Sequence, residues 1–95
     1  MFKVELEFDK SLPEEKLNIL CDVTDEIFAR KNISNVKQSL GKRTYLSKNF
    51  GDISAVLYYI DKIDELKQHL SKAIMHESNF SENLIETYFN LQITK

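Results

Sequence analysis

Phe2, Val4, Leu6 and Phe8 alternate with Lys3, Glu5, Glu7 and Asp9 at the start of the chain. Successive side chains of a strand point to opposite faces, so this run reads as a half-buried strand with one apolar side and one charged side. Immediately afterwards the period changes. Leu17, Leu20, Cys21, Thr24, Ile27 and Phe28 recur at steps of three and four, which places them along one face of a helix. A strand and a helix in succession, each with a single apolar side, must bury those sides against other elements in a layered fold.

The helix has start and stop signals. Ser11 stands where a cap is wanted and Glu14 where it would close a capping box. Pro13 falls in the first turn, where its missing N–H costs nothing. Arg30 and Lys31 complement the C-terminal end of the dipole, and Asn32 suits a left-handed cap. The expected helix covers residues 12–31.

The middle of the chain is less regular. Thr44, Tyr45 and Leu46 favour a strand, and Asn49-Phe50-Gly51-Asp52 is a turn signal. Residues 53–60, rich in β-branched and aromatic side chains, read as a second strand of this region. One long helix from Asp52 to about Glu77 is the competing reading, because Val56, Tyr59, Ile60, Ile63, Leu66 and Leu70 also fit a helical period. With residues 53–60 as a strand, Asp61 caps a helix whose stripe is Ile63, Leu66, Leu70, Ala73 and Ile74. Ser78-Asn79 is a turn. Ile85, Thr87, Phe89, Leu91 and Ile93 then alternate with polar residues as a last strand. The expected order is β-α-β-β-α-β, and its simplest closure is an α+β, ferredoxin-like sandwich with two helices on one face of an antiparallel sheet.

With 95 residues, 42% of them apolar, the chain suffices for one domain, 1–95, around one core. The longest apolar run, Ala55 to Ile60, is too short to span a bilayer. Acidic residues interrupt the N-terminal run at once, which does not suit a signal peptide. Cys21 stands alone, so no internal disulfide forms and a cytoplasmic location is expected. No cofactor is expected.

The net charge of −2 conceals a strong asymmetry. Glu5 to Glu26 holds eight acids and two bases, whereas Ile27 to Gly51 holds six bases and no acid. Such separation bears on partners rather than on fold. Glu15, Asp22, Asp25 and Glu26, with Asn18 between them, are expected on the helix side away from the apolar stripe. They would form an acidic ridge that could dock a basic protein partner and speed association. Lys37, Lys42, Arg43 and Lys48, with Tyr45, offer an anion-binding alternative. A pI near 5.7 disfavours nucleic acid as the ligand. A third surface is the open face of the sheet, expected to carry Lys3, Glu5, Glu7, Tyr58 or Tyr59, and Tyr88. It could serve a face-to-face homodimer. An RNA platform is disfavoured there, since Glu5 and Glu7 repel phosphate.

Other motifs carry less. Ser39-Leu40-Gly41-Lys42-Arg43-Thr44 is near the end of a phosphate loop, but Val36 stands at the upstream glycine position and Arg43 where Ser or Thr must bind magnesium. Cys21 reads as a buried small hydrophobe. His69 and His76 are two turns apart on the expected helix, too far for joint metal ligation, and no nucleophile motif accompanies either. The sequence therefore points to a non-enzymatic, inhibitor-, immunity- or antitoxin-like protein that binds a basic protein partner. A homo-oligomeric regulatory or ligand-binding domain and a nucleic-acid-associated accessory protein are the alternatives.

Overall fold

The computed structural model describes residues 1–89. The chain runs β1 (Phe2–Phe8), α1 (Glu14–Ala29), β2 (Asn35–Ser39), β3 (Lys42–Ser47), α2 (Phe50–Asp61), α3 (Asp64–Lys67), β4 (Leu70–Glu77), β5 (Phe80–Asn83) and a π-helical turn (Ile85–Phe89). The five strands form one antiparallel sheet in the order β2-β3-β1-β4-β5. The fold is α+β, and no helix among the described residues is long and apolar enough to cross a membrane.

β1 is the central strand, and its alternation sets the two sides of the sheet. Val4 lies opposite Tyr45 on β3 and Met75 on β4, and Leu6 lies opposite Arg43 and Ala73. Val4, Leu6, Phe8, Tyr45, Ala73 and Met75 are buried, in one core with Leu17, Leu20, Cys21, Ile27 and Phe28 of α1 and Ile53, Val56, Leu57 and Ile60 of α2. The odd-numbered residues of β1 face the other way with Lys42, Thr44 and Leu46 of β3 and Lys72, Ile74 and His76 of β4. A register shift at Glu7/Phe8 brings Leu70 opposite Phe8 and returns it to the core side.

α1 matches the expected helix to within two residues at each end, but its start differs. Ser11 does not cap it. Its N–H and hydroxyl both donate to the Asp9 carboxylate, at 2.9 and 2.8 Å, closing a local turn before the helix begins. Pro13 occupies the cap position. At the other end Asn32 takes the left-handed conformation, φ 60°, as its residue type suggests.

Residues 53–60 form a helix, not a strand. The decisive local element is Asn49, whose side chain accepts from the Asp52 N–H at 3.0 Å and caps α2. Ile53, Val56, Leu57 and Ile60 are buried, the i, i+3, i+4, i+7 set of a helix face, while Tyr58 and Tyr59 point outward. The long-helix alternative is also corrected, since α2 stops at Asp61 and only the single turn α3 follows. Asp61 does not cap a helix but accepts from Lys67 Nζ at 3.3 Å. The helix expected through Leu70, Ala73 and Ile74 is the strand β4, because β1 has two edges to satisfy and β4 supplies the second. The expected last strand is corrected as well. Residues 85–89 form the π-helical turn, which buries Ile85 and Phe89 one turn apart. The remainder of that expected strand, including Leu91 and Ile93, lies outside the described residues.

Candidate functional site

α1 presents its outer face to solvent. At about 100° per residue, Glu15, Ile19, Asp22 and Glu26 form a stripe centred about 170° from the middle of the buried stripe. All four are exposed, and Ile19 retains 53% of its surface. Ile19 is one of several large apolar residues exposed on this chain, and it is the one set among carboxylates. Among the described residues, none of these three carboxylates has a salt-bridge partner. The fourth acid assigned to the ridge from sequence, Asp25, is elsewhere. It projects from the flank of α1 that faces β3.

There Asp25 closes a knot with two residues of β3. The Tyr45 hydroxyl donates to Asp25 Oδ1 at 2.6 Å, and Arg43 Nε donates to Oδ2 at 3.0 Å. Arg43 Nη1 also donates to the main-chain carbonyls of Ser39 and Lys42, at 3.1 and 2.9 Å. The Tyr45 ring is fully buried and stacks on Phe28, with centroids 3.6 Å apart and planes 4° from parallel. Burial, and then the bond to the carboxylate, push the Tyr45 hydroxyl far above the ordinary tyrosine range. Burial is the largest influence and disfavours the Arg43 charge, yet the hydrogen bond to Asp25 and the neighbouring charges together hold the guanidinium above its usual value. Asp25 and Arg43 thus belong to the joint between α1 and the sheet, which removes one residue from the acidic ridge and one from the basic set.

The tyrosines expected on the open sheet face lie on the helical side, because residues 53–60 are helical. Tyr58 and Tyr59 are exposed on adjacent flanks of α2. The Arg30 guanidinium, one residue beyond α1, sits over the Tyr59 ring at 5.5 Å, and Lys62 Nζ over the Tyr58 ring at 5.0 Å. Tyr88, in the π-helical turn, is half-buried, with its ring edge-on to Phe89 at 5.2 Å. Burial, followed by the nearby charge of Asp61, raises its hydroxyl.

The open sheet face is a charged surface instead of an aromatic one. Lys42 pairs with Glu7 at 3.1 Å, and Lys3 with Glu5 at 3.8 Å. A shallow depression of about 230 Å³ lies across β2, β3, β1 and β4, with Lys37, Lys42 and Lys72 around Glu5 and Glu7. Two of the basic residues marked from sequence, Lys37 and Lys42, therefore come together, joined by Lys72. Arg43 is turned to the other side of the sheet, and Lys48 is exposed in the loop before α2. Two carboxylates in the floor of the depression oppose a phosphate ligand, and one already holds Lys42.

His76 links three strands on this face. Its Nε2 lies 3.0 Å from Glu5 Oε1, and its Nδ1 lies 2.8 Å from Ser81 Oγ. An ionised carboxylate only accepts, so Nε2 is the donor to Glu5, and Nδ1 and the Ser81 hydroxyl share the second hydrogen bond. The hydrogen bond from His76, helped by Lys3, holds the Glu5 carboxyl below its ordinary value. This serine–histidine–carboxylate line was not read from sequence, since Glu5 is 71 residues from His76. The Ser81 half was within reach. The turn at Ser78-Asn79 is legible, and a hairpin closed there sets His76 opposite Ser81. Neither His76 nor Ser81 lines the depression, and their line of hydrogen bonds ties β1, β4 and β5 together.

Cys21 is fully buried, and burial raises its thiol. Among the described residues no group of three or more His, Cys, Asp or Glu side chains is placed to hold a metal ion. Comparison with protein-family models, with curated proteins and with solved structures finds no match to this chain.

Proposed function

We propose that this chain is a small, non-enzymatic protein-binding module that docks a basic protein surface through the outer face of α1. The observation that carries this reading is the stripe Glu15–Ile19–Asp22–Glu26, an exposed isoleucine among three carboxylates without salt-bridge partners among the described residues. Carboxylates of one sign on a rigid helix steer an oppositely charged partner, and the isoleucine supplies apolar area to the contact. Asp25 is left out of the docking set, since it is held by Tyr45 and Arg43. An inhibitor, immunity or antitoxin-like role suits such a module, in a cytoplasmic setting compatible with one buried, unpaired cysteine.

The β1–α1–β2–β3–α2–β4 portion reads as a ferredoxin-like sandwich, with α3 and β5 as additions. What supports this is the neighbour order β2-β3-β1-β4 with every pair antiparallel, and α1 and α2 packed into one core. Such a scaffold hosts many unrelated functions, so the functional reading rests on the α1 surface alone.

The test is a nuclease-treated affinity capture from source cells with three forms of the chain. These are the native protein, Asp22→Lys/Glu26→Lys on the ridge, and Lys37→Glu/Lys42→Glu on the open sheet face. Glu15 is kept, because an acid in the first turn stabilises the helix by about 0.3–1 kcal/mol. The expected result is a protein with a basic surface retained by the native and sheet-face forms and lost by the ridge form, with all three melting cooperatively. Retention by the ridge form, or loss by the sheet-face form, overturns the assignment.

A further inference from the structure

The α1 stripe does not end in acid. At Arg30 and Lys31 the sign of the surface reverses, Tyr59 of α2 lies under Arg30, and Tyr58 with Lys62 over it follows on the adjacent flank of α2. We infer that Arg30–Tyr59 and Lys62–Tyr58 form the anchor of the docking surface, and that they orient the partner. Its basic patch lies over Asp22 and Glu26, and a carboxylate-bearing segment lies over the two tyrosines. This inference rests on the reading of the chain as a protein-binding module.

Three features of the molecule support it. Tyr58 and Tyr59 each keep more than half of their surface exposed, at 58% and 52%, although an exposed tyrosine pair adds nothing to the core. Tyrosine and arginine are the residue types that dominate interface energetics, because they offer large rigid contact area and directed hydrogen bonds. Each ring already carries a cation near its face, at 5.5 and 5.0 Å, which restrains it before binding and lowers the ordering cost.

The charge pattern supplies the orientation. Ile19 and Arg30 are eleven residues apart, about 16 Å along the helix. Within that length the surface passes from the carboxylates of Asp22 and Glu26 to the guanidinium of Arg30. A uniformly basic partner would meet repulsion at the tyrosine end, and a uniformly acidic one at the ridge. Only a partner with both signs, basic then acidic over about 16 Å, is complementary along the whole stripe. The ridge then sets the association rate, and the desolvated aromatic anchor sets the dissociation rate.

The experiment places the photoreactive amino acid p-benzoylphenylalanine at position 19, 59 or, as control, 44 on the open sheet face. Each form is irradiated in source-cell extract. The protein joined to position 19 is identified, purified and measured against variants of this chain by surface plasmon resonance. The expected result is the same adduct from positions 19 and 59 and none from 44. Dissociation should be about tenfold faster for Tyr59→Ala and for Arg30→Glu. Asp22→Lys/Glu26→Lys should mainly slow association. Tyr59→Phe keeps the ring and should dissociate like the native chain, which separates anchoring from misfolding. An adduct from position 19 alone, with Tyr59→Ala and Arg30→Glu at native rates, overturns the anchor and leaves the docking reading intact. No adduct from either position, or the same adduct from position 44, overturns both.

Discussion

Removal of one oxygen atom, in Tyr45→Phe, tests the joint between α1 and the sheet. The Tyr45 hydroxyl is the shorter of the two links from β3 to Asp25, at 2.6 Å, and its ring is fully buried against Phe28. Phenylalanine keeps the stack and the volume, so the change isolates the hydrogen bond. A hydrogen bond to a charged group contributes about 1.5–3 kcal/mol. The Asp25 side chain is 26% exposed, so water replaces part of what is lost, and the expected cost is about 1–2 kcal/mol. In a domain of this length that lowers the melting midpoint by roughly 5–15 °C. The urea midpoint should fall by roughly 0.5–1 M. Asp25→Ala should cost at least as much, about 2–3 kcal/mol, because it leaves the buried tyrosine hydroxyl without its acceptor and Arg43 without its counter-ion. Asp22→Ala, one turn along the same helix but on the outer face, should stay within about 0.5 kcal/mol. A double-mutant cycle of Asp25→Asn with Tyr45→Phe, followed by urea denaturation, should return a coupling of about 1–2 kcal/mol. If Tyr45→Phe is as stable as the native chain and the cycle shows no coupling, the knot does not hold the helix to the sheet, and Asp25 returns to the docking surface.

Two further changes probe other parts of the molecule. Gly41, between β2 and β3, has φ +76°, and a Cβ there would lie 3.3 Å from Leu17 Cδ2. Gly41→Ala should therefore cost about 1–2 kcal/mol in urea denaturation, from the left-handed backbone and the crowding together. A neutral result would show that the β2–β3 turn relaxes freely. Glu5 has a folded-state pKa below its ordinary 4.5, owing first to the hydrogen bond from His76. Its stabilising contribution is thus complete above that ordinary value and is lost as pH falls through the depressed one. Urea midpoints at about pH 5.5 and about pH 3 should drop more for the native chain than for Glu5→Gln; parallel drops would show that the tie to His76 adds nothing.

The elements that could be read locally share one property, which is that a short window contains their whole cause. The alternation of Phe2 to Phe8 and the stripe of Leu17 to Phe28 define β1 and α1 without reference to the rest of the chain. The left-handed Asn32 and the Ser78-Asn79 turn are equally local. Residues 53–60 mark the limit. Their β-branched and aromatic content favours a strand, yet Asn49 capping and the spacing of Ile53, Val56, Leu57 and Ile60 favour a helix, and packing against the sheet resolved the conflict. Residues 70–77 show the opposite outcome. A helical period through Leu70, Ala73 and Ile74 gave way to strand pairing with β1. Over the described residues the order is β-α-β-β-α-α-β-β followed by a π-helical turn, so the expected β-α-β-β-α-β order is not the one found.

The candidate site divides in the same way. Exposure of Glu15, Asp22 and Glu26 follows from the helix period alone, and so was legible from sequence. Asp25 lies on the flank of that same period, and only the approach of Arg43 and Tyr45, 18 and 20 residues away, draws it out of the ridge. The pairing of Glu5 with His76 and the placement of Arg30 over Tyr59 likewise arise between elements. Periodicity decides which side of an element meets water, because it depends only on backbone geometry. Which charged side chains then find partners, and which remain free to meet another protein, is decided by tertiary packing, because a Coulomb or hydrogen-bond partner is selected by distance in space and not by separation along the chain.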